Sequence, residues 1–270
     1  MKTIFLIAAL FSITSINAQQ KNVPFTKSDT VIQKQKPKLF EGFDRINEKS
    51  RRIKSLIIPT AFITYGFVSL ESDVLKKLNN NTRLEIRGNH PNFFTKFDNY
   101  LQFSPALAVY GLNAFGIKGK NNFRDRTMIL ALSTAISAAT VLSLKKITKV
   151  QRPDGSGFNS FPSGHTTTAF VAAEFLRREY KDVSPWYGIA GYTVAVTIGI
   201  LRLYNNKHWV SDVVAGAGVG IASTKIAYWL YPKIQHKLFK DKPFHTFVIP
   251  MYQKGVFSLS MVHKFGTILR

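Results

Sequence analysis

The chain contains no cysteine. Disulfides and thiol chemistry are therefore excluded, and the usual zinc cages lose their ligands. No His-Glu-x-x-His run is present, so that metal-ligand spacing is missing as well. Acidic residues are scarce: 15 Asp and Glu stand against 37 Lys and Arg, a formal net charge of +22 over 270 residues. Such a balance favours anionic partners, either nucleic acid or anionic lipid. The basic residues mostly flank apolar runs rather than interleave with aromatics, so nucleic acid is not expected as a partner. No long-period repeat is visible. What the chain does have is 45% hydrophobic residues, collected into long uncharged runs. That turns the reading toward a membrane, and the length suits one large domain or a small membrane bundle.

Residues 1–18 read as a secretory signal: Lys2, a mostly apolar core from Ile4 to Ile16, and small residues Ser15 and Ala18 before the cleavage point. A short uncleaved anchor is the other reading. Residues 19–54 form a polar, basic segment. Residues 55–70 are apolar but short for a span, and 71–98 carry loop signals in Asn79-Asn80-Asn81 and Gly88-Asn89-His90-Pro91. Residues 99–117, 127–144 and 183–201 are each uncharged for about the length that crosses a bilayer core. A shorter helix is expected over 162–176 and a last one over 210–231, ending before Pro232. Residues 233–270 form a basic C-terminal segment whose partial alternation suggests a short β-hairpin. The expected fold is all-α, a membrane-embedded bundle of five to six helices over 55–232. Glu174, Asp212 and Lys225 within the shorter runs also fit the buried helices of a soluble domain.

Three short pieces carry the chemistry. Lys145 stands seven residues before Arg152-Pro153; Pro162-Ser163-Gly164-His165 follows; Arg202 then precedes His208, with Asp212 four residues further on. A phosphoryl group in transfer spreads charge over three equatorial oxygens, so fixed donors must surround it. Lys145, Arg152 and Arg202 are the candidate cations, since an Arg fork meets two oxygens at once. Ser163 and Gly164 stand where a helix starts, where backbone N–H groups attract an anion, and the glycine keeps a side chain out of the way. With no thiol available, neutral His208 is the candidate nucleophile, held by Asp212 one helical turn away. His165 is left as general acid. No metal and no cofactor is called for.

These pieces resemble the type 2 phosphatidic acid phosphatase (PAP2) superfamily, whose pattern is Lys-x6-Arg-Pro, Pro-Ser-Gly-His and Ser-Arg-x5-His-x3-Asp. Leu201 stands where the pattern has serine. The resemblance covers roughly residues 100–231. It implies a PAP2/haloperoxidase-like helical core and a metal-independent phosphohistidine mechanism, with the roles given above. Its members also include soluble acid phosphatases and vanadium haloperoxidases, so it does not fix the substrate.

Helices 127–144 and 183–201 end at the site and 210–231 leaves it. The opposite face then receives Lys118, Lys120, Arg124, Arg126, Arg177, Arg178, Lys233, Lys237, Lys240 and Lys242. Positive-inside asymmetry makes that face cytoplasmic and the site periplasmic, in a bacterial inner membrane. If 55–70 also spans, residues 21–54 are cytoplasmic, which conflicts with a cleaved signal. The expected activity is hydrolysis of membrane-lipid phosphates: phosphatidic acid, phosphatidylglycerol phosphate, undecaprenyl pyrophosphate or lipid A. A periplasmic non-specific acid phosphatase, soluble or peripheral, is the second reading. A non-catalytic membrane protein that binds lipid head groups is the third.

Overall fold

The computed structural model describes residues 50–239, 246–253 and 256–263, with side chains over 50–236. The signal segment 1–18, residues 19–49, and Lys240 and Lys242 lie outside the described residues. A helical stretch at 50–55 leads into α1 (Ile57–Glu71) and α2 (Asp73–Asn89). Two short helices follow, α3 (Asp98–Leu101) and α4 (Ser104–Ala114). The bundle proper is α5 (Phe123–Thr148), α6 (Gly164–Tyr180), α7 (Pro185–Tyr204) and α8 (Val210–Phe239). Strands β1 (Thr246–Gln253) and β2 (Val256–His263) pair antiparallel with Gln253 opposite Val256, which is the hairpin expected from their alternation.

The helix starts are written in the sequence. Asn122 caps α5 by accepting from the Asp125 N–H at 2.9 Å. Ser163 caps α6, its hydroxyl accepting from the Thr166 N–H and Thr166 Oγ1. Ser184 caps α7, with Pro185 at the first helical position, where its missing N–H costs nothing. Among the described residues, α5, α7 and α8 as far as His236 are long and apolar enough to cross a membrane.

Helix α6 is the axis of the bundle, buried along most of its length from Thr166 to Tyr180. Ala169, Phe170 and Ala173 pack with Ala195 and Ile198 of α7 and with Ala217 and Ile221 of α8. Phe175, Leu176 and Tyr180 pack with Ile129 of α5 and Ala227 of α8. Glycines set the close approaches. A Cβ on Gly220 would stand 2.5 Å from the Thr167 carbonyl oxygen, and one on Gly216 2.7 Å from that of Ser163. These contacts run in step, so α6 and α8 are parallel. Gly66 of α1 faces Ala215, and Gly218 faces the Pro59 carbonyl, so α1 lies antiparallel along α8. Small residues of this kind let helix backbones meet where lipid supplies no hydrophobic drive. Gly220→Ala is expected to destabilise the bundle by about 1–3 kcal/mol, as overpacking does; thermal unfolding in detergent reads it, and an unchanged midpoint would contradict the close approach.

Helices α6 and α8 begin at one end of the bundle, and α1, α5 and α7 finish there. The other end is held by Tyr231 donating to Asp125 at 2.6 Å, Lys225 donating to the Ser55 carbonyl at 2.6 Å, and Tyr228 donating to Glu179 at 2.6 Å.

Three expectations are corrected. Residues 99–117 are not one span. Pro105 opens α4, and a proline ring inside a continuous helix would clash with the preceding turn, so α3 and α4 stay separate and short. Asn79-Asn80-Asn81 is not a loop but the middle of α2, because buried Asn79 donates to Ser211 Oγ at 2.9 Å and accepts from the Ser211 N–H at 3.2 Å. The last helix does not stop at Pro232; it runs through it to Phe239.

Candidate active site

The three motif pieces converge at the end where α6 and α8 begin. Lys145 lies in the last turn of α5, and its ammonium donates to the carbonyls of Asn159 and Ser160. The segment 149–161 folds back on itself: the Arg152 N–H donates to the Gly157 carbonyl at 2.9 Å and the Ser160 N–H to that of Val150 at 2.9 Å. Arg152 Nε donates to Asn159 Oδ1 at 2.8 Å. Lys207 reaches Asp154 at 2.5 Å and ties this segment to residues 205–209. Burial acts to raise the Asp154 carboxyl, but hydrogen bonds from Lys207 and Ser156 outweigh it and hold it at about 2.

Arg202 is buried in the last turn of α7 and donates through Nη1 to the fully buried Asp98 carboxylate. Its Nε–H has no acceptor among the described residues. Gly164 has room where a Cβ would stand: its nearest neighbour would be Val141 at 4.0 Å. The N–H groups of Gly164 and His165 belong to the first turn of α6, where no helical carbonyl accepts them. Ser163 differs from expectation. Its N–H is taken by the Asp212 carbonyl at 3.0 Å, so its backbone donor is spent within the fold, while its hydroxyl oxygen caps the helix.

His208 and Asp212 meet, but not across a helical turn, because α8 starts only at Val210. Asp212 instead reaches back. Its Oδ2 accepts from the Trp209 N–H at 2.9 Å and from the Ser160 hydroxyl, and lies 3.5 Å from His208 Nδ1. Ser160 Oγ is 3.4 Å from the same Nδ1. Nδ1 is thereby occupied and Nε2 is the nitrogen left for chemistry. Burial pushes the His208 imidazole down to about 4, against the opposing pull of Asp212; Lys145 and Arg202 add to the lowering. The ring is neutral at neutral pH.

His165 is half-buried, with Nε2 2.7 Å from Asn99 Oδ1. It too is lowered, by burial first and then by Arg202, which Asp98 opposes, and by Arg152 and Lys145. The three cations thus act on one point in space. Asp98, Asn99, Asn159 and Ser160 were missed by sequence reasoning. The available signal was faint: one acid and one amide, Asp98-Asn99, at the head of an uncharged aromatic run. Beside the site lies a cavity of about 630 Å³ lined by Ser69, Glu71, Lys76, Asn80, Thr148 and Trp209, among others. Among the described residues no cluster of His, Asp or Glu has metal-binding geometry.

Against known proteins, the model of the PAP2 superfamily matches residues 126–236, the segment that holds all three motif pieces. A lipid A 1-phosphatase of Porphyromonas gingivalis is 40% identical over 176 residues, 65% of this chain and 38% of that protein. The chain therefore spans about two fifths of that relative's length. A probable diacylglycerol pyrophosphate phosphatase of Schizosaccharomyces pombe is 29% identical over 180 residues, covering 50% of this chain and 63% of that protein. The crystal structure of a transmembrane PAP2-type phosphatidylglycerolphosphate phosphatase from Bacillus subtilis aligns with a TM-score of 0.46 at 20% identity, over 68% of this chain and 99% of that one. With three helices fit to span, the chain is a membrane protein.

Proposed function

We propose that this protein is a metal-independent phosphatase of membrane-lipid phosphates that works through a phosphohistidine on His208. The observation that carries the reading is the convergence of Lys145, Arg152 and Arg202 on His165, and of Lys145 and Arg202 on His208, which is buried and held by Asp212. His208 Nε2 attacks phosphorus, and Asp212 stabilises the cationic ring that results. Arg152, Arg202, Lys145 and the N–H groups opening α6 take the charge on the equatorial oxygens. As general acid His165 acts from its protonated ring, with the Nε2 proton on the side that faces Asn99 Oδ1 at 2.7 Å. The leaving oxygen displaces Asn99 there and takes that proton, and His165 then draws a proton from the water that hydrolyses the intermediate. Within the lipid class, the relatives favour a lipid A-type phosphate, and the cavity beside Trp209 gives a polar head group room.

Phosphate release from a panel of lipid phosphates in detergent with EDTA tests this. Release from at least one lipid that persists in EDTA is expected. Intact lipids alongside rapid cleavage of soluble esters would favour the non-specific acid phosphatase instead.

The pH profile has a set sign. The nucleophile must be neutral, so kcat/KM falls as pH drops through the His208 value of about 4. The acid must be protonated, so kcat/KM also falls as pH rises through His165, whose value lies below the ordinary 6.5. An acidic optimum is expected; a flat profile from 5 to 9 would refute the assignment.

The site is proposed to face the periplasm of a bacterial inner membrane. Lys118, Lys120, Arg177 and Arg178 stand at the opposite end, joined there by Arg51, Arg52 and Lys54 ahead of α1. With α1 antiparallel to α8, this orientation leaves residues 50–56 cytoplasmic, and cleavage after Ala18 then does not occur. N-terminal sequencing of the membrane form reads that directly. The chain is proposed to divide into the signal-like segment 1–18, the basic segment 19–54, the phosphatase domain 55–232 and the C-terminal segment 233–270.

A further inference from the structure

At the end of the bundle away from His208, four cations gather around one concavity. Lys120, Arg177, Arg178, Lys181 and Tyr228 line a pocket of about 100 Å³. Its arginines are held in place from behind. Glu174, fully buried on α6, accepts from Arg177 Nε at 2.6 Å and Nη2 at 2.7 Å, and from Arg178 Nε at 2.9 Å. The Tyr192 hydroxyl also donates to it at 2.6 Å. Arg178 sits 5.0 Å over the Tyr228 ring, whose hydroxyl is bound to Glu179. The Lys120 N–H donates to the Glu179 carbonyl at 2.9 Å and pins its loop to the end of α6. One buried carboxylate thus spends its lone pairs fixing two guanidinium groups. The remaining guanidinium N–H groups and the Lys120 ammonium are left to serve an anion, together with the Lys181 ammonium, which stands 3.9 Å from the exposed Asp182 carboxylate.

A second feature shows what kind of anion. A groove of about 600 Å³ shares Arg177 and Lys181 with the pocket and runs along α7 past Pro185, Gly188, Ile189, Tyr192 and Val196. Helix α7 is a candidate membrane span, and Ile189 and Val196 on this face are 51% and 49% exposed. Gly188 keeps the groove floor low: a Cβ there would meet the Arg177 stem at 2.7 Å. An apolar channel along a candidate membrane helix therefore opens directly into this prearranged cationic pocket. The 20 residues of α7 put this pocket about 30 Å from the Arg202 end.

We propose that the joined pocket and groove bind one anionic phospholipid, its phosphodiester among Lys120, Arg177, Arg178 and Lys181 and an acyl chain along α7. The site is separate from catalysis and does not depend on the proposed activity. Native mass spectrometry of the full chain in neutral detergent, with equimolar phosphatidylglycerol and phosphatidylcholine, tests it. Phosphatidylglycerol is expected to be retained preferentially, and the Lys120→Ala/Lys181→Ala variant to lose about 10-fold of that retention with its unfolding midpoint unchanged. Because the variant leaves the His208 end intact, that loss assigns binding to this pocket. A water-soluble glycerol phosphate, lacking the chain, is expected to displace the lipid poorly. Equal retention of both lipids, undiminished retention in the variant, or full displacement by inorganic phosphate at the lipid's own concentration would each overturn the proposal.

Discussion

His208→Ala is expected to reduce phosphate release by a factor on the order of 10⁴ or more, the scale seen when the nucleophile of a cooperating set is removed. The geometry leaves no understudy. Thiols are absent from the chain, and Ser160, the nearest hydroxyl, is fully buried with its hydrogen committed to Asp212. His165 lies on a different element and faces Asn99. Asp212→Asn is expected to cost less, on the order of 10²–10⁴ in kcat, because it spoils the tautomer and the stabilisation of the charged ring while leaving Nε2 in place. A single-turnover experiment that traps acid-labile phosphate on the protein separates the roles of the two histidines: label accumulates in His165→Ala if breakdown needs that base, and never in His208→Ala. Retention of a tenth of wild-type kcat by His208→Ala would end the phosphohistidine assignment. Binding without turnover in the wild type would instead support the lipid-binding, non-catalytic reading.

Much of this arrangement can be read from the chain. The spans over 127–144 and 183–201 stand out because α5 and α7 expose much of their apolar surface, so their composition follows lipid rather than a core. The hairpin shows as alternation. The proposed site residues stand out as candidates because phosphate chemistry requires several charges held around one group. What was not legible is tertiary. Asn79 is a poor helix former, yet its two hydrogen bonds to Ser211 hold it in α2; propensity yields to a partner 132 positions away. Nothing local says that Ser160 will share Asp212 with His208. The His208–Asp212 spacing suggested a helical pair, but the same contact is made by a side chain folding back from the first turn of α8. Sequence spacing constrains which groups can meet; it does not choose the backbone that brings them together.

The Asp98–Arg202 pair is where folding and chemistry meet most directly, and it supplies the second large effect. Asp98 is fully buried at the start of α3, and its Oδ2 accepts from Arg202 and from Asn205 Nδ2 at 3.3 Å. Asn205 in turn exchanges hydrogen bonds with Thr95, accepting from its N–H at 2.9 Å and donating to its carbonyl at 2.9 Å. The segment 95–99 is thereby fastened to the end of α7, and Asn99 is delivered to His165 from the same turn. Removing one member of a buried ion pair leaves an uncompensated charge and costs about 3–5 kcal/mol. Asp98→Ala is therefore expected to lower the unfolding midpoint in detergent by a wide margin. It also frees Arg202 to move, with a loss on the order of 10²–10³ in kcat, comparable to removal of one preorganised donor. Asn99→Ala separates the two consequences: the ion pair stays, so stability is held, while His165 loses its partner and the alkaline limb of the pH profile shifts. If Asp98→Ala unfolds no earlier than wild type, the pair is not buried as described and the account of Arg202 fails. If stability falls and kcat does not, Asp98 supports the fold alone and Arg202 finds its place without it.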